Sequence, residues 1–120
     1  MGTQDYHIGV LAAEDGSAII AVTGEIDIAS SLSFAQRLSA ILDEGAARVI
    51  VDLRTTSYLD TTGLSVLWES AKRCRSENRE LAIVCSAGRV REALSNSGLD
   101  QVVVTRATLD EALGHPGTTS

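Results

Sequence analysis

Apolar and polar residues alternate near the start of the chain, and later apolar residues recur at helical spacing. Two alternating segments, residues 6–13 and 17–24, flank Glu14-Asp15-Gly16, so they predict two strands joined in a hairpin. Short β-branched runs then alternate with amphipathic stretches. The elements predicted after the hairpin are a helix from Ser30 or Ser31 to residue 44, a strand over 48–53, a helix over 62–78, a strand over 81–85, a helix over 89–97, a strand over 102–105 and a helix from Thr108 to residue 113.

This order of elements predicts an α/β fold. Strands that alternate with helices form parallel sheets with right-handed crossovers. The hairpin adds one antiparallel strand, so we expect a mixed, mostly parallel β-sheet of about five strands with about four helices. The 120 residues suit a single domain, which we place over residues 1–113. Residues 114–120, which hold the only proline, are expected to be a disordered tail.

The charge and composition narrow the function classes. The formal net charge is −6, which disfavours binding to nucleic acid or to an anionic membrane and favours a basic surface on another protein. No secretory signal and no membrane-spanning apolar stretch is visible, so we expect a cytoplasmic protein. Cys74 and Cys85 are expected to be buried, reduced thiols. A basic cluster on the second helix is expected to be a solvated face: Lys72, Arg73, Arg75 and Arg79.

The most informative segment is a strand that leads into a helix through Asp60-Thr61-Thr62-Gly63-Leu64. Its first helical turn displays two adjacent hydroxyls. The unpaired N–H groups and positive dipole end of a helix N-terminus favour negative charge, so a phosphate added there is tolerated by the fold. The threonine pair is therefore a candidate switch. The alternative is that Thr61 and Thr62 only cap the helix.

Other chemistries have less support in the sequence. Asp27 and Asp60 could be read as a catalytic carboxylate pair, but no histidine accompanies them, because His7 falls in the first strand and His115 in the tail. Gly63 is not part of a glycine-rich phosphate loop. We therefore expect no catalytic residues, no cofactor and no metal.

Several segments together resemble the STAS domain and, within it, the bacterial anti-sigma factor antagonists. That family has Asp-Ser-Ser-Gly-Leu or Asp-Ser-Thr-Gly-Leu where this chain has Asp60-Thr61-Thr62-Gly63-Leu64. The order and spacing of the segments carry the resemblance over nearly the whole chain. The other matching segments are Val22-Thr23-Gly24-Glu25-Ile26-Asp27, Val51-Asp52-Leu53, Ser57-Tyr58-Leu59-Asp60, Val84-Cys85 and Ser97-Gly98-Leu99.

The resemblance implies a binding protein that is a substrate rather than an enzyme. In its unphosphorylated form such a protein binds an anti-sigma factor kinase of the histidine-kinase-like ATPase fold and so releases a sigma factor. The kinase phosphorylates a hydroxyl in this turn, which maps to Thr62, with Thr61 as the alternative, and a PPM-type serine/threonine phosphatase reverses the change. The residues expected to contact the partner are Asp27, Asp60, Thr61, Thr62, Gly63 and Leu64.

Two alternatives remain open from the sequence. The chain is either such a phosphorylation switch or a STAS-type scaffold or regulator that is not phosphorylated in this turn. A small-ligand-binding or enzymatic α/β domain is the least expected, although strand-to-helix turns commonly hold ligands. Both acceptor positions hold threonine, and Ser65 stands where the family often has glycine.

Overall fold

Five strands and four α-helices form the part of the chain described by the computed structural model, residues 6–13 and 15–114. In chain order they are β1 (His7–Ala12), β2 (Ser17–Ile26), α1 (Ser31–Asp43), β3 (Arg48–Leu59), α2 (Thr61–Ser76), β4 (Glu80–Val84), α3 (Arg89–Ser97), a 3-10 turn (Leu99–Gln101), β5 (Val104–Arg106) and α4 (Leu109–Ala112).

The sheet has the strand order β1-β2-β3-β4-β5. β1 pairs antiparallel with β2, and the remaining neighbours are parallel. The predicted α/β class with a mixed, mostly parallel sheet is therefore confirmed, as is the hairpin, although Glu14 lies outside the described residues. The single domain over 1–113 stays a prediction, and residues 115–120 of the proposed tail lie outside the described residues.

An aliphatic core fills the space between the sheet and three helices. The main cluster joins residues of β2, β3 and β4 to α1, α2 and α3, and it includes Phe34, which is fully buried. A smaller cluster on the other face joins Ile19, Ile50 and Val84 to Ala112 of α4. The sheet is thus covered well on one face and lightly on the other, and the three larger helices are fixed by apolar burial.

α1 buries an apolar stripe, as expected of an amphipathic stretch. Phe34, Leu38, Ile41 and Leu42 are buried against the sheet. α1 ends at Asp43, and Gly45 follows with a φ of +94°, in the left-handed region that glycine adopts readily.

The prediction that β3 ends at residue 53 is wrong. β3 continues to Leu59, and this extension pairs with β2, with Thr23 opposite Thr55 and Glu25 opposite Tyr58. The segment looked like a polar loop because its residues are polar, but threonine and tyrosine favour extended structure and β2 is also longer than predicted, reaching Ile26. The extension carries the end of β3 beyond β4 and sets the position of α2.

Smaller differences concern element ends. α2 begins one residue earlier and ends two residues earlier than predicted, β5 is displaced toward Arg106, and the 3-10 turn over Leu99–Gln101 was not foreseen. The helix over Arg89–Ser97, stopped by Gly98 with φ +82°, is confirmed, and Thr108 caps α4 by accepting a hydrogen bond from the N–H of Glu111.

The cysteines belong to the core, and the basic cluster is a solvated face only in part, because Lys72 and Arg75 are exposed while Arg73 and Arg79 are half-buried. Cys74 and Cys85 are buried and unpaired thiols, and burial raises the pKa of each. Arg73 forms ion pairs with Asp43 and Glu77.

Over residues 6–13 and 15–114, no helix combines the length and the apolar character needed to cross a bilayer.

Candidate functional site

The candidate site lies where β2 and β3 end side by side. Ile26 pairs with Leu59, and the N–H of Asp60 donates to the carbonyl of Ile26 at 3.1 Å. Because neighbouring parallel strands end at the same edge of a sheet, the loop before α1 and the turn before α2 lie next to each other. The extension of β3 thus brings Asp27 and Asp60 to one edge.

Asp60 organises the start of α2. It is the N-cap residue, in an extended conformation, and its Oδ1 accepts hydrogen bonds from the backbone N–H groups of Thr62 at 2.9 Å and Gly63 at 3.2 Å. The same oxygen accepts a hydrogen bond from the Thr62 hydroxyl, Oγ1 to Oδ1, at 2.5 Å. This arrangement satisfies two of the N–H groups that a helix N-terminus leaves without intrahelical partners.

These hydrogen bonds favour the ionised form of Asp60. Partial burial raises the pKa of its carboxyl group, but the hydrogen bonds from the Thr62 hydroxyl and from the N–H groups of Gly63 and Thr62 outweigh that effect. The pKa therefore lies below its usual value. At neutral pH the turn carries a full negative charge directly beside the Thr62 hydroxyl.

The two threonines differ in surroundings. Thr61 is exposed, and Thr62 is partly exposed with its hydroxyl turned to Asp60. Neither threonine is buried, although Thr62 is the more covered of the two.

Gly63 is buried beneath the turn. A Cβ atom at this position would lie 2.5 Å from Cδ1 of Leu59 and 2.7 Å from Cγ2 of Ile26, closer than real Cβ contacts. Glycine therefore allows α2 to approach the ends of β2 and β3. Leu64 is partly buried and packs against the main core. The roles predicted for both residues in partner contact stay predictions, while their positions indicate packing that supports the turn.

Asp27 organises the start of α1 in a similar way. Its Oδ1 accepts hydrogen bonds from the N–H groups of Ala29 at 3.0 Å and Ser30 at 3.1 Å. The predicted N-cap position is confirmed at Ser30, but the Ser30 side chain makes no capping hydrogen bond. Its hydroxyl instead accepts from the N–H of Asp27 and donates to the carbonyl of Glu25 at 2.8 Å.

Sequence reasoning missed two apolar residues at this edge, Ile28 and Leu32, which are strongly exposed. A signal for Leu32 was present in the sequence. It lies in the first turn of α1 but out of phase with the buried stripe that begins at Phe34, so a helix that buries this stripe leaves Leu32 facing solvent.

A catalytic role for Asp27 and Asp60 finds no support in the geometry. The Asp60 carboxylate accepts from N–H groups that begin α2, and the Asp27 carboxylate accepts from N–H groups of the turn just before α1. His7 lies on the edge strand β1, and His115 lies outside the described residues. Across residues 6–13 and 15–114, no group of three or more His, Cys, Asp or Glu side chains is arranged to hold a metal ion.

With this fold and edge established, comparison with known proteins identifies the class. A family model described as the STAS domain matches residues 10–112. The chain belongs to the STAS domain family.

Individual relatives carry the name that the resemblance suggested. The anti-sigma-F factor antagonist RsfB of Mycobacterium tuberculosis is 21% identical over 113 residues, which span 94% of this chain and 92% of RsfB. The crystal structure of an anti-sigma factor antagonist from Mycobacterium paratuberculosis superposes with a TM-score of 0.81 at 26% identity, over 90% of this chain and 92% of that one.

SpoIIAA, described as a Bacillus cell fate determinant, shares the fold in two solved forms. Its unphosphorylated form has a TM-score of 0.76 at 18% identity, over 89% of this chain and 93% of that one. Its phosphorylated form has a TM-score of 0.71 at 17% identity, over 90% of this chain and 97% of that one. At these identities the likeness establishes the fold.

Proposed function

We propose that this chain is a cytoplasmic anti-sigma factor antagonist. In its unphosphorylated form it binds an anti-sigma factor kinase of the histidine-kinase-like ATPase fold through the edge that holds Asp27 and the turn over residues 60–64, and a sigma factor is released. Phosphorylation of Thr62, or alternatively of Thr61, ends the complex. A PPM-type serine/threonine phosphatase restores the binding form.

One observation carries the proposal: an exposed and a partly exposed threonine begin α2 beside an ionised carboxylate, at the edge where two strands end. A kinase can reach hydroxyls in this position without unfolding of the domain. The names of the mycobacterial relatives agree with this function, and SpoIIAA is a protein of the same fold that is known in a phosphorylated form.

The effect of a phosphate on Thr62 follows from the Asp60 contact. Phosphorylation removes the hydroxyl proton that Thr62 donates and places a charge of about −1.5 to −2 next to Asp60. The phosphate and the carboxylate repel each other, so the turn must rearrange locally or the phosphate must point outward into the space where a partner binds. Either result weakens a close-fitting complex. Each loss of about 1.4 kcal/mol in binding free energy lowers the affinity tenfold.

The proposal describes a regulatory binding protein rather than an enzyme. Its chemistry is done to the chain by the kinase and undone by the phosphatase, so the chain supplies an acceptor oxygen, a docking surface and a fixed geometry. The hydrogen bonds of Asp27 with the turn before α1 and of Asp60 with the start of α2 agree with positioning roles for both carboxylates.

Phosphate mapping tests the proposal. The purified chain is incubated with ATP and, one at a time, with the purified histidine-kinase-like anti-sigma factors encoded in the same genome, and any phosphate is located by mass spectrometry. We expect incorporation at Thr62 that is lost in Thr62→Ala and kept in Thr61→Ala. Incorporation at Thr61 with the reverse dependence supports the alternative acceptor.

Two other results would contradict the switch. Firm binding to one of these kinases without incorporation at either threonine favours a STAS-type scaffold that is not phosphorylated in this turn. Saturable binding or turnover of a small molecule by the chain alone favours the ligand-binding or enzymatic interpretation. A serine variant, Thr62→Ser, serves as the positive control, because it keeps the acceptor oxygen and the hydrogen bond to Asp60.

A further inference from the structure

The two most exposed large apolar side chains among the described residues stand together beside the Asp27 turn. Ile28 is 77% exposed and Leu32 is 66% exposed. Large apolar side chains in contact with water are stabilised when a partner covers them. Two of them at the edge that holds the proposed switch make this edge a candidate for a surface that another molecule covers.

The pair is held in a fixed position. The N–H of Ser31 donates to the carbonyl of Asp27 at 2.8 Å, an i to i+4 bond that extends helical geometry back through Ile28. The Asp27 carboxylate fixes the same turn through Ala29. Residues four apart on a helix are surface neighbours, so Ile28 and Leu32 lie next to each other. A surface that is already ordered loses little conformational entropy when it binds.

The pair adjoins the threonine turn. Ala35 of α1 and Ser65 of α2 line one groove of about 310 Å³ between the two helices. Leu32 precedes Ala35 by about one helical turn, and Thr61 precedes Ser65 by about one turn. The apolar pair and the threonines therefore lie at the same end of the groove, on one surface.

The two chain segments that form this edge carry charge of one sign. Residues 24–35 and 55–66 contain Glu25, Asp27 and Asp60 but no lysine or arginine. The surface that complements this edge is apolar at its centre and basic at its rim. A phosphate on Thr62 adds to the negative rim and leaves the apolar centre unchanged.

We propose that Ile28 and Leu32 are the apolar centre of the docking surface for the anti-sigma kinase, and that they insert into an apolar pocket rimmed by lysine or arginine side chains. This inference rests on the proposed function and adds a division of roles. The apolar pair supplies most of the affinity, as central apolar residues do in protein interfaces, and the threonine turn at the rim controls it.

The test measures the affinity of Ile28→Ser and Leu32→Ser for the purified kinase that binds the wild-type chain, by calorimetric titration. Leu11→Ser is the matched control, because Leu11 is 64% exposed and pairs with Ile19, roughly 23 Å along β2 from Ile26. We expect each of the first two variants to lose about tenfold or more in affinity and the control to stay within about twofold. The loss should persist when salt is raised to about 1 M, because apolar contacts are not screened.

Distinct results separate failure of the inference from failure of the proposed function. If the wild-type chain binds a kinase and Ile28→Ser and Leu32→Ser bind it equally well, the inference is wrong and the proposed function stands. Equal losses in Leu11→Ser also overturn the inference. A wild-type dimer in light scattering that Leu32→Ser dissociates assigns the pair to a second copy and overturns it as well. Absence of binding to every kinase tested overturns the proposed function itself.

Discussion

Thr62 Oγ1 lies 2.5 Å from Asp60 Oδ1, and this one carboxylate oxygen also accepts the N–H groups of Thr62 and Gly63. The proposed phosphate acceptor and the cap of α2 are therefore parts of the same hydrogen-bonded unit. A phosphate added to Thr62 therefore acts directly on Asp60, the N-cap residue of α2.

The cap contributes to stability. Asp60→Ala removes the acceptor for two backbone N–H groups and should lower the free energy of unfolding by about 0.5–2 kcal/mol. Asp60→Asn keeps an acceptor oxygen and should lie within a few tenths of a kcal/mol of wild type at neutral pH. Urea denaturation followed by circular dichroism measures both. Equal losses in the two variants would contradict the capping role. We also expect Asp60→Ala to weaken kinase binding while the fold is kept.

The pKa of Asp60 predicts a pH dependence. Its folded-state pKa lies below the unfolded value of about 3.9, so the ionised group favours the folded state. This contribution is present in full above the unfolded pKa and is lost as the pH falls through the lower folded pKa. We therefore subtract the unfolding free energy of Asp60→Asn from that of wild type. This difference should be constant from about pH 7 to 5, and it should shift in favour of the variant below about pH 4. A wild-type advantage that grows on acidification would contradict this assignment.

Gly63 is predicted to be intolerant of even a methyl group. Gly63→Ala places Cβ 2.5 Å from Cδ1 of Leu59 and 2.7 Å from Cγ2 of the stiff, buried Ile26, so α2 must shift. We expect a loss of about 1–3 kcal/mol in unfolding free energy. Gly9→Ala is the control, because no atom lies within 4 Å of an added Cβ there. Thermal unfolding of both variants gives the comparison, and equal midpoints would contradict the close approach.

The sequence predicted the sheet, the helices and the threonine turn, but not the contacts that hold the turn. Helical periodicity showed the stripe of α1, because burial of Phe34 and Leu38 follows directly from spacing. The pairing of β3 with β2 beyond residue 53 depends on a strand distant in sequence, and local polarity concealed it. The sequence placed Ser30 at the start of α1, but not the bond from its hydroxyl to the carbonyl of Glu25, which replaces a capping bond.

The Asp52–Arg54 pair should stabilise the fold. Asp52 is 8% exposed and accepts two side-chain hydrogen bonds from Arg54, at 2.9 and 2.8 Å. Arg54→Ala leaves a nearly buried carboxylate without these donors, so we expect a loss of about 1–3 kcal/mol in unfolding free energy. Arg54→Lys should lose less, because lysine keeps the charge without the bidentate geometry.

The control for this pair is the Lys72–Glu69 ion pair, in which both side chains are exposed. Lys72→Ala should change the unfolding free energy by less than about 1 kcal/mol. Urea titrations of Arg54→Ala, Arg54→Lys and Lys72→Ala measure these changes in unfolding free energy. If Arg54→Ala and Lys72→Ala cost the same, the nearly buried pair has no special part in stability.

The central claim is that a phosphate at the start of α2 ends partner binding without unfolding the chain. Its most direct test is a calorimetric titration of the cognate kinase with the unphosphorylated chain and with the same chain phosphorylated at Thr62, with circular dichroism recorded for both. We predict tight binding of the first form, an affinity at least about a hundredfold weaker for the second, equivalent to about 2.8 kcal/mol, and matching spectra. Equal affinities of the two forms would contradict the account.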